Sequence, residues 1–161
     1  MRVLLSWGQR PEWERDGRHL LFMEKAFGHA HRLDIETGEI VPLTTHFFHD
    51  GFDRILALAN GDYLLTGTRD FSAADPWKHR QRWKIDIYRV ALDGSHRADR
   101  LTFFDDLGGP YHGSNPVVSP DGRFTVVQLG IHGMGAGQGR GLVLIGLGAW
   151  ERTFAADETR P

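Results

Sequence analysis

The sequence predicts an all-β protein built as a partial β-propeller, about three four-stranded antiparallel blades in a row. Three observations carry this. One plan recurs three times along the 161 residues: an apolar stretch, a tight turn, an apolar strand, a loop, a further strand with its own turn, and a short closing strand. Asp16-Gly17, Asn60-Gly61 and Asp121-Gly122 stand at the same place in each copy, and such pairs tolerate the positive φ of tight turns between strands. No segment carries a long apolar pattern of period 3.6, so any helix is brief.

The elements follow in order. Residues 1–10, opening Met1-Arg2-Val3-Leu4-Leu5-Ser6-Trp7, read as an N-terminal strand or the remnant of a neighbouring blade. Blade 1 spans 11–48, from Pro11-Glu12-Trp13-Glu14-Arg15-Asp16-Gly17-Arg18 through Thr37-Gly38 to the closing Val41-Pro42-Leu43-Thr44. Blade 2 spans 49–106. Ile55-Leu56-Ala57-Leu58 precedes Asn60-Gly61, an insertion occupies 68–83, and Ile85–Leu92 runs to Asp93-Gly94 before Arg100-Leu101-Thr102. Blade 3 spans 107–154 and is the cleanest copy, with Pro116-Val117-Val118-Ser119-Pro120-Asp121-Gly122-Arg123 and a last apolar run at Gly141–Leu147. Residues 155–161 form a polar tail.

Composition narrows the function classes. Lys and Arg number 19 against 21 Asp and Glu, so no global charge draws the chain to nucleic acid or to membrane. Cysteine is absent, which removes disulfides, thiolate metal sites and cysteine catalysis together. The apolar start is too short for a signal-peptide core or a membrane span. As it stands the sequence reads as cytoplasmic, and a missing N-terminal segment would make it periplasmic or secreted.

Asn115-Pro116-Val117-Val118-Ser119-Pro120-Asp121-Gly122-Arg123 closely resembles the Pro-x-Trp-Ser-Pro-Asp-Gly-Lys/Arg core of TolB-like propeller repeats. Residues 11–18 are a second, degraded copy, and the endings Arg100-Leu101-Thr102 and Pro42-Leu43-Thr44 resemble the Arg-Leu-Thr that closes such repeats. The resemblance covers roughly residues 11–147. It implies a fold and little about activity, because such blades serve accessory, scaffolding and enzymatic proteins alike.

Three blades alone leave two blade faces uncovered, since closed propellers hold about 4–8 blades. Self-association would cover them, two such arcs making a six-bladed ring; so would the missing blades of a longer chain. Val3-Leu4-Leu5 is placed to act as a stray outer strand.

Loop parity gives the site. In an antiparallel blade with strands A to D, the A–B and C–D turns share one end. The B–C loops and the connections between blades share the other. The first class is tight throughout. The second is long at 45–52, 68–82, 103–114 and 130–139. Binding residues concentrate on long loops over a rigid scaffold, and His46, His49, His79, His112 and His132 all fall there, with His29 and His31 at another loop's mouth. His46-x-x-His49-Asp50 with His112 would supply nitrogen and oxygen donors to a divalent metal. The plainer reading is polar residues on surface loops, and no strict metal spacing appears. No cofactor is firmly implied; a divalent metal is the candidate.

In the insertion, Trp77 and Trp83 among Lys and Arg are suited to stack on a sugar or cap a partner, or else to fold back over the blade edge. The glycine-rich stretch 130–141 lacks the Lys-Ser or Lys-Thr and the helix of a phosphate loop; Arg140 there meets either an anionic ligand or a structural carboxylate. No nucleophile elbow exists.

The favoured expectation is a noncatalytic binding module whose long-loop face takes a protein, glycan or small ligand through His46, His49, His112, Trp77, Trp83 and Arg140. The alternative is a metal-dependent, lyase-like carbohydrate-active enzyme, or a fragment of one, by analogy with sugar lyases built from similar repeats that hold metal on loop histidines.

Overall fold

The computed structural model describes residues 2–68, 85–90, 98–102, 111–131 and 141–147, with backbone alone at 111–115, 127–131 and 141–143. These residues fold as three antiparallel sheets. The first is β1 (Gln9–Trp13), β2 (His19–Met23), β3 (Ala30–Asp34) and β4 (Ile40–Pro42). The second is β5 (Phe52–Ala57), β6 (Tyr63–Thr68), β7 (Ile85–Val90) and β8 (Asp99–Arg100). The third holds β9 (Tyr111–Val118), β10 (Phe124–Ile131) and β11 (Gly141–Gly146), three strands among the described residues. Strand order in space follows chain order in every sheet. That is the meander of a propeller blade.

The turn signals act as the sequence implies. Residues 14–18, 58–62 and 119–123 join the first two strands of each sheet. In each, the Asx side chain accepts from the backbone N–H two residues on: Asp16 from Arg18 at 2.9 Å, Asn60 from Asp62 and Asp121 from Arg123 at 3.1 Å. The glycine that follows takes φ +67, +94 and +72°, left-handed values that glycine adopts without a Cβ clash. One turn design is thus repeated in three blades.

The closing motif has an equally local cause. In the first blade the Leu43 N–H donates to the Ala30 carbonyl, and the buried Thr44 hydroxyl accepts from the Ala30 N–H. In the second, Leu101 and Thr102 do the same to Ile87. Leu-Thr ends a blade because the threonine replaces one missing ladder bond where the strand stops.

Packing follows from side-chain alternation. The middle sheet sends Ile55, Tyr63, Leu65 and Val90 toward the first blade and Leu56, Leu64, Ile87 and Leu101 toward the third. Most of these are under 5% exposed, and each large aliphatic side chain so buried contributes roughly 1.5–3 kcal/mol. The first strand of each later blade lies on the blade before it: β5 on β2, and β9 on β7. The inner strands β1, β5 and β9 border a groove of about 260 Å³ lined by Trp13, Arg15, Arg54, Leu56, Pro116 and Val117. Across it, Arg15 donates to the Pro120 carbonyl at 2.7 Å and links the first blade to the third.

Trp7 folds over the outer face of the first blade. One expectation is corrected: the loops of the elaborated end are not all long, because β2 and β3 are joined by residues 24–29 alone.

Candidate functional site

The connection between the first two blades, residues 43–51, builds the best-defined site. Two backbone bonds fasten its far end to the 24–29 connection, Gly28 N–H to the Phe52 carbonyl (3.1 Å) and Phe52 N–H to the Gly28 carbonyl (3.0 Å). Gly51 makes this approach feasible. Its φ is +98°, and a Cβ there would meet the Phe27 carbonyl oxygen at 2.5 Å. The Thr68 hydroxyl donates to the Asp50 carbonyl (3.3 Å), tying the loop to the end of β6.

His49 organises the interior of this loop. Its Nδ1 accepts from the Gly51 N–H at 2.9 Å. The proton of the neutral ring therefore sits on Nε2, which faces His29 Nδ1 at 2.9 Å and the Thr44 carbonyl at 3.1 Å. The two imidazoles meet edge to face, and the His49 ring leans on Phe52 with centroids 4.5 Å apart. Burial, and then the neighbouring His29, lower the His49 pKa to about 4, because a charged imidazolium loses hydration there. At neutral pH His49 is an uncharged structural hinge.

Against this hinge lies a cleft of about 230 Å³ lined by Phe47, Phe48, His49, Phe52, Thr68 and Tyr88. Phe48 is 92% exposed at its rim. Phe52 packs edge to face on Tyr88 at 5.7 Å and Phe47 on Phe52 at 6.4 Å, so the walls are aromatic edges as well as faces.

The predicted site residues fall out as follows. His46 is exposed and stands edge to face on Phe47 at 4.9 Å, beside the cleft. His49 is inside it. His112 lies on β9 opposite Gly130, in the third sheet. Trp77, Trp83 and Arg140 lie outside the described residues. Among the described side chains, the cluster that brings three metal donors together is Glu14, Asp16 and His19, within 4.8 Å. It sits at the trimmed end, and each member already serves the fold. Glu14 accepts from the Tyr63 hydroxyl at 2.7 Å, and Asp16 accepts from His19 Nδ1 at 2.5 Å and from two backbone N–H groups. These bonds, the His19 bond first, hold the Asp16 carboxyl down at about 2.

The aromatic wall was the part sequence reasoning missed. Its signal was present: Phe47-Phe48, two adjacent aromatics inside a loop of His and Thr, an apolar pair with no strand of its own to bury it.

The architecture is that of a β-propeller of the TolB-like kind. The chain superposes on TolB from Acinetobacter baumannii with a TM-score of 0.56 at 19% identity, over 86% of this chain and 29% of that one. On a TolB-type protein of Agrobacterium tumefaciens it reaches 0.63 at 16% identity, over 91% of this chain and 48% of that one. The chain thus spans less than half the length of either. No family model matches the sequence, and no curated protein does. Among the described residues no helix is long and apolar enough to cross a membrane.

Proposed function

We propose that the chain is a noncatalytic binding module that holds an aromatic or apolar side chain of a protein partner in the cleft at His49. The observation that carries this is Phe48, 92% exposed at the rim of an aromatic-walled cleft on the long-loop end. Size favours one class of ligand. Pockets for whole small molecules run to roughly 300–1,000 Å³, whereas about 230 Å³ suits one ring. One anchor side chain in a desolvated pocket is how protein interfaces concentrate their affinity. Trp77, Trp83 and Arg140 lie outside the described residues, and a glycan stacked on Phe48 is the nearest competing reading.

Indole and N-acetyl-tryptophanamide are the probes, with methyl glucoside as the glycan arm. Titration followed by NMR is expected to move the side-chain resonances of His49, Phe47 and Tyr88 with the aromatic probes. Silence at all three overturns the reading. Shifts with the glucoside alone replace the partner by a glycan.

The metal-dependent alternative, with His46, His49 and His112 as ligands, asks His49 to give up the Gly51 or the His29 contact. Metal analysis of the purified protein tests it: a stoichiometric divalent ion, lost with His49→Ala, would favour the enzyme.

A further inference from the structure

The three blades pack by a single rule. In each of the two interfaces, the downstream face of one blade receives the upstream face of the next, led by its first strand. Among the described residues, the downstream face of the third blade has no such cover. Register places Val117, Val126 and Leu144 side by side on it, opposite in direction from Val118, Thr125 and Ile145, which face the middle blade. Val117 is 67% exposed and Leu144 65%. A cross-strand apolar row in water is unusual on a sheet whose other face is core.

The upstream face of the first blade is the complementary end. Leu20, Phe22, His31 and Leu33 share it by register. The chain preceding β1 folds over this row: Trp7 meets Phe22 at 5.2 Å and His31 at 5.6 Å, edge to face in both cases. Gly8 allows the approach, with φ +105° and no room for a Cβ, which would stand 2.8 Å from the Phe22 ring. The cover is thin and itself apolar outward. Trp7 remains 46% exposed, and Val3 and Leu4 remain 79% and 42% exposed.

We propose that the Trp7 end of a second copy docks on the Val117–Leu144 face, and that two chains associate head to tail through two such contacts. The inference is independent of the cleft at His49. Continuity is its first argument. The face that follows a downstream blade face in this fold is an upstream face, and blade 1 holds the one upstream face that no described blade covers. Closure is the second. Head-to-tail contacts form rings when the rotation closes, and two three-bladed arcs give six blades, inside the range of about 4–8 that closed propellers hold. A back-to-back contact between two third blades would leave both Trp7 ends bare. The ring would also enclose the groove lined by Trp13, Arg15 and Arg54, now open on one side of the arc.

Sedimentation equilibrium across micromolar to near-millimolar concentration tests the association. The expected mass is twice the 18.2 kDa of one chain. Leu144→Glu and Trp7→Glu are each expected to weaken the dimer at least about a hundredfold, since each buries an unpaired carboxylate at the contact. Mixing the two variants is expected to restore a dimer, because that pair keeps one wild-type contact. Val3→Glu with Leu4→Glu stands in for Trp7→Glu should the latter lose its cooperative unfolding; Leu144 is exposed, so its variant is expected to melt as the wild type does. A folded wild-type monomer at every concentration overturns the proposal. A dimer that survives Leu144→Glu overturns it as well. So does one that Leu144→Glu breaks while both N-terminal variants leave it intact, which marks a back-to-back contact.

Discussion

His29 and Asp86 occupy the same place in successive blades. Each directly precedes the residue, Ala30 or Ile87, whose backbone is held by the closing Leu-Thr of its blade. In the second blade the position carries an ion pair. Asp86 is fully buried, accepts from the Thr102 hydroxyl at 3.0 Å and lies 2.7 Å from Arg100. In the first blade Pro42 stands in the register of Arg100, no cation is offered there, and His29 turns instead to His49. The ion pair, with Thr102 bonded to both partners, closes the blade. The uncharged His49 needs no counter-charge, and the aromatic cleft lies beside it. In this chain the proposed binding cleft lies where the repeat departs from its own pattern.

The comparison predicts very unequal costs. Asp86→Ala leaves the partly buried Arg100 without its carboxylate and is expected to destabilise by about 3–5 kcal/mol. His29→Ala removes one ring contact at a partly buried site and is expected to cost about 1 kcal/mol. Urea unfolding of both variants measures the difference. Equal losses would break the claim that the two blades close by different chemistry.

A smaller effect is expected in the pH dependence of stability. His49 titrates near 4 in the folded chain and near 6.5 unfolded. Between those values the unfolded state binds more protons, so acid favours unfolding. The contribution is fully present above pH 6.5 and is lost as pH falls toward 4. Allowing for the partial exposure of the ring, the loss amounts to roughly 2 kcal/mol. His31, pushed in the same direction by burial, adds to the slope. His49→Gln is expected to flatten the urea midpoint across that window, with the residual slope due to His31. An unchanged slope would mean that His49 is not held neutral by the fold.

The contrast between the blades also marks how far the sequence could be read. Asp16-Gly17, Asn60-Gly61 and Asp121-Gly122 were legible because a tight turn depends on local φ and one side-chain bond, both written in adjacent residues. Leu43-Thr44 and Leu101-Thr102 were legible as a motif. Their role was not, since the N–H groups they hold lie 14 and 15 residues earlier in the chain. The site was half legible. Loop parity located His46 and His49 at the elaborated end. It could not show that His49 spends both nitrogens on Gly51, His29 and Thr44, or that Phe47 and Phe52 converge with Tyr88 from another strand. Those contacts depend on how the second blade packs on the first.

The smallest stability effect belongs to the residue with the largest expected effect on binding. Phe48 is 92% exposed, so little apolar surface returns to water when its ring is removed. Phe48→Ala is expected to change stability by less than about 0.5 kcal/mol, as for surface substitutions generally. Its ring nevertheless forms the rim of the cleft, and losing it is expected to weaken indole binding about tenfold, the scale of one lost aromatic contact of roughly 1.4 kcal/mol. The matched substitution on the other side of the comparison is Tyr88→Phe, which keeps the aromatic wall and removes a hydroxyl from the second blade. It is expected to leave indole affinity within about twofold, a difference well below 1 kcal/mol. If the two variants instead bind alike, the exposed phenylalanine is a loop residue without a ligand, and the cleft closes on nothing but its own hinge.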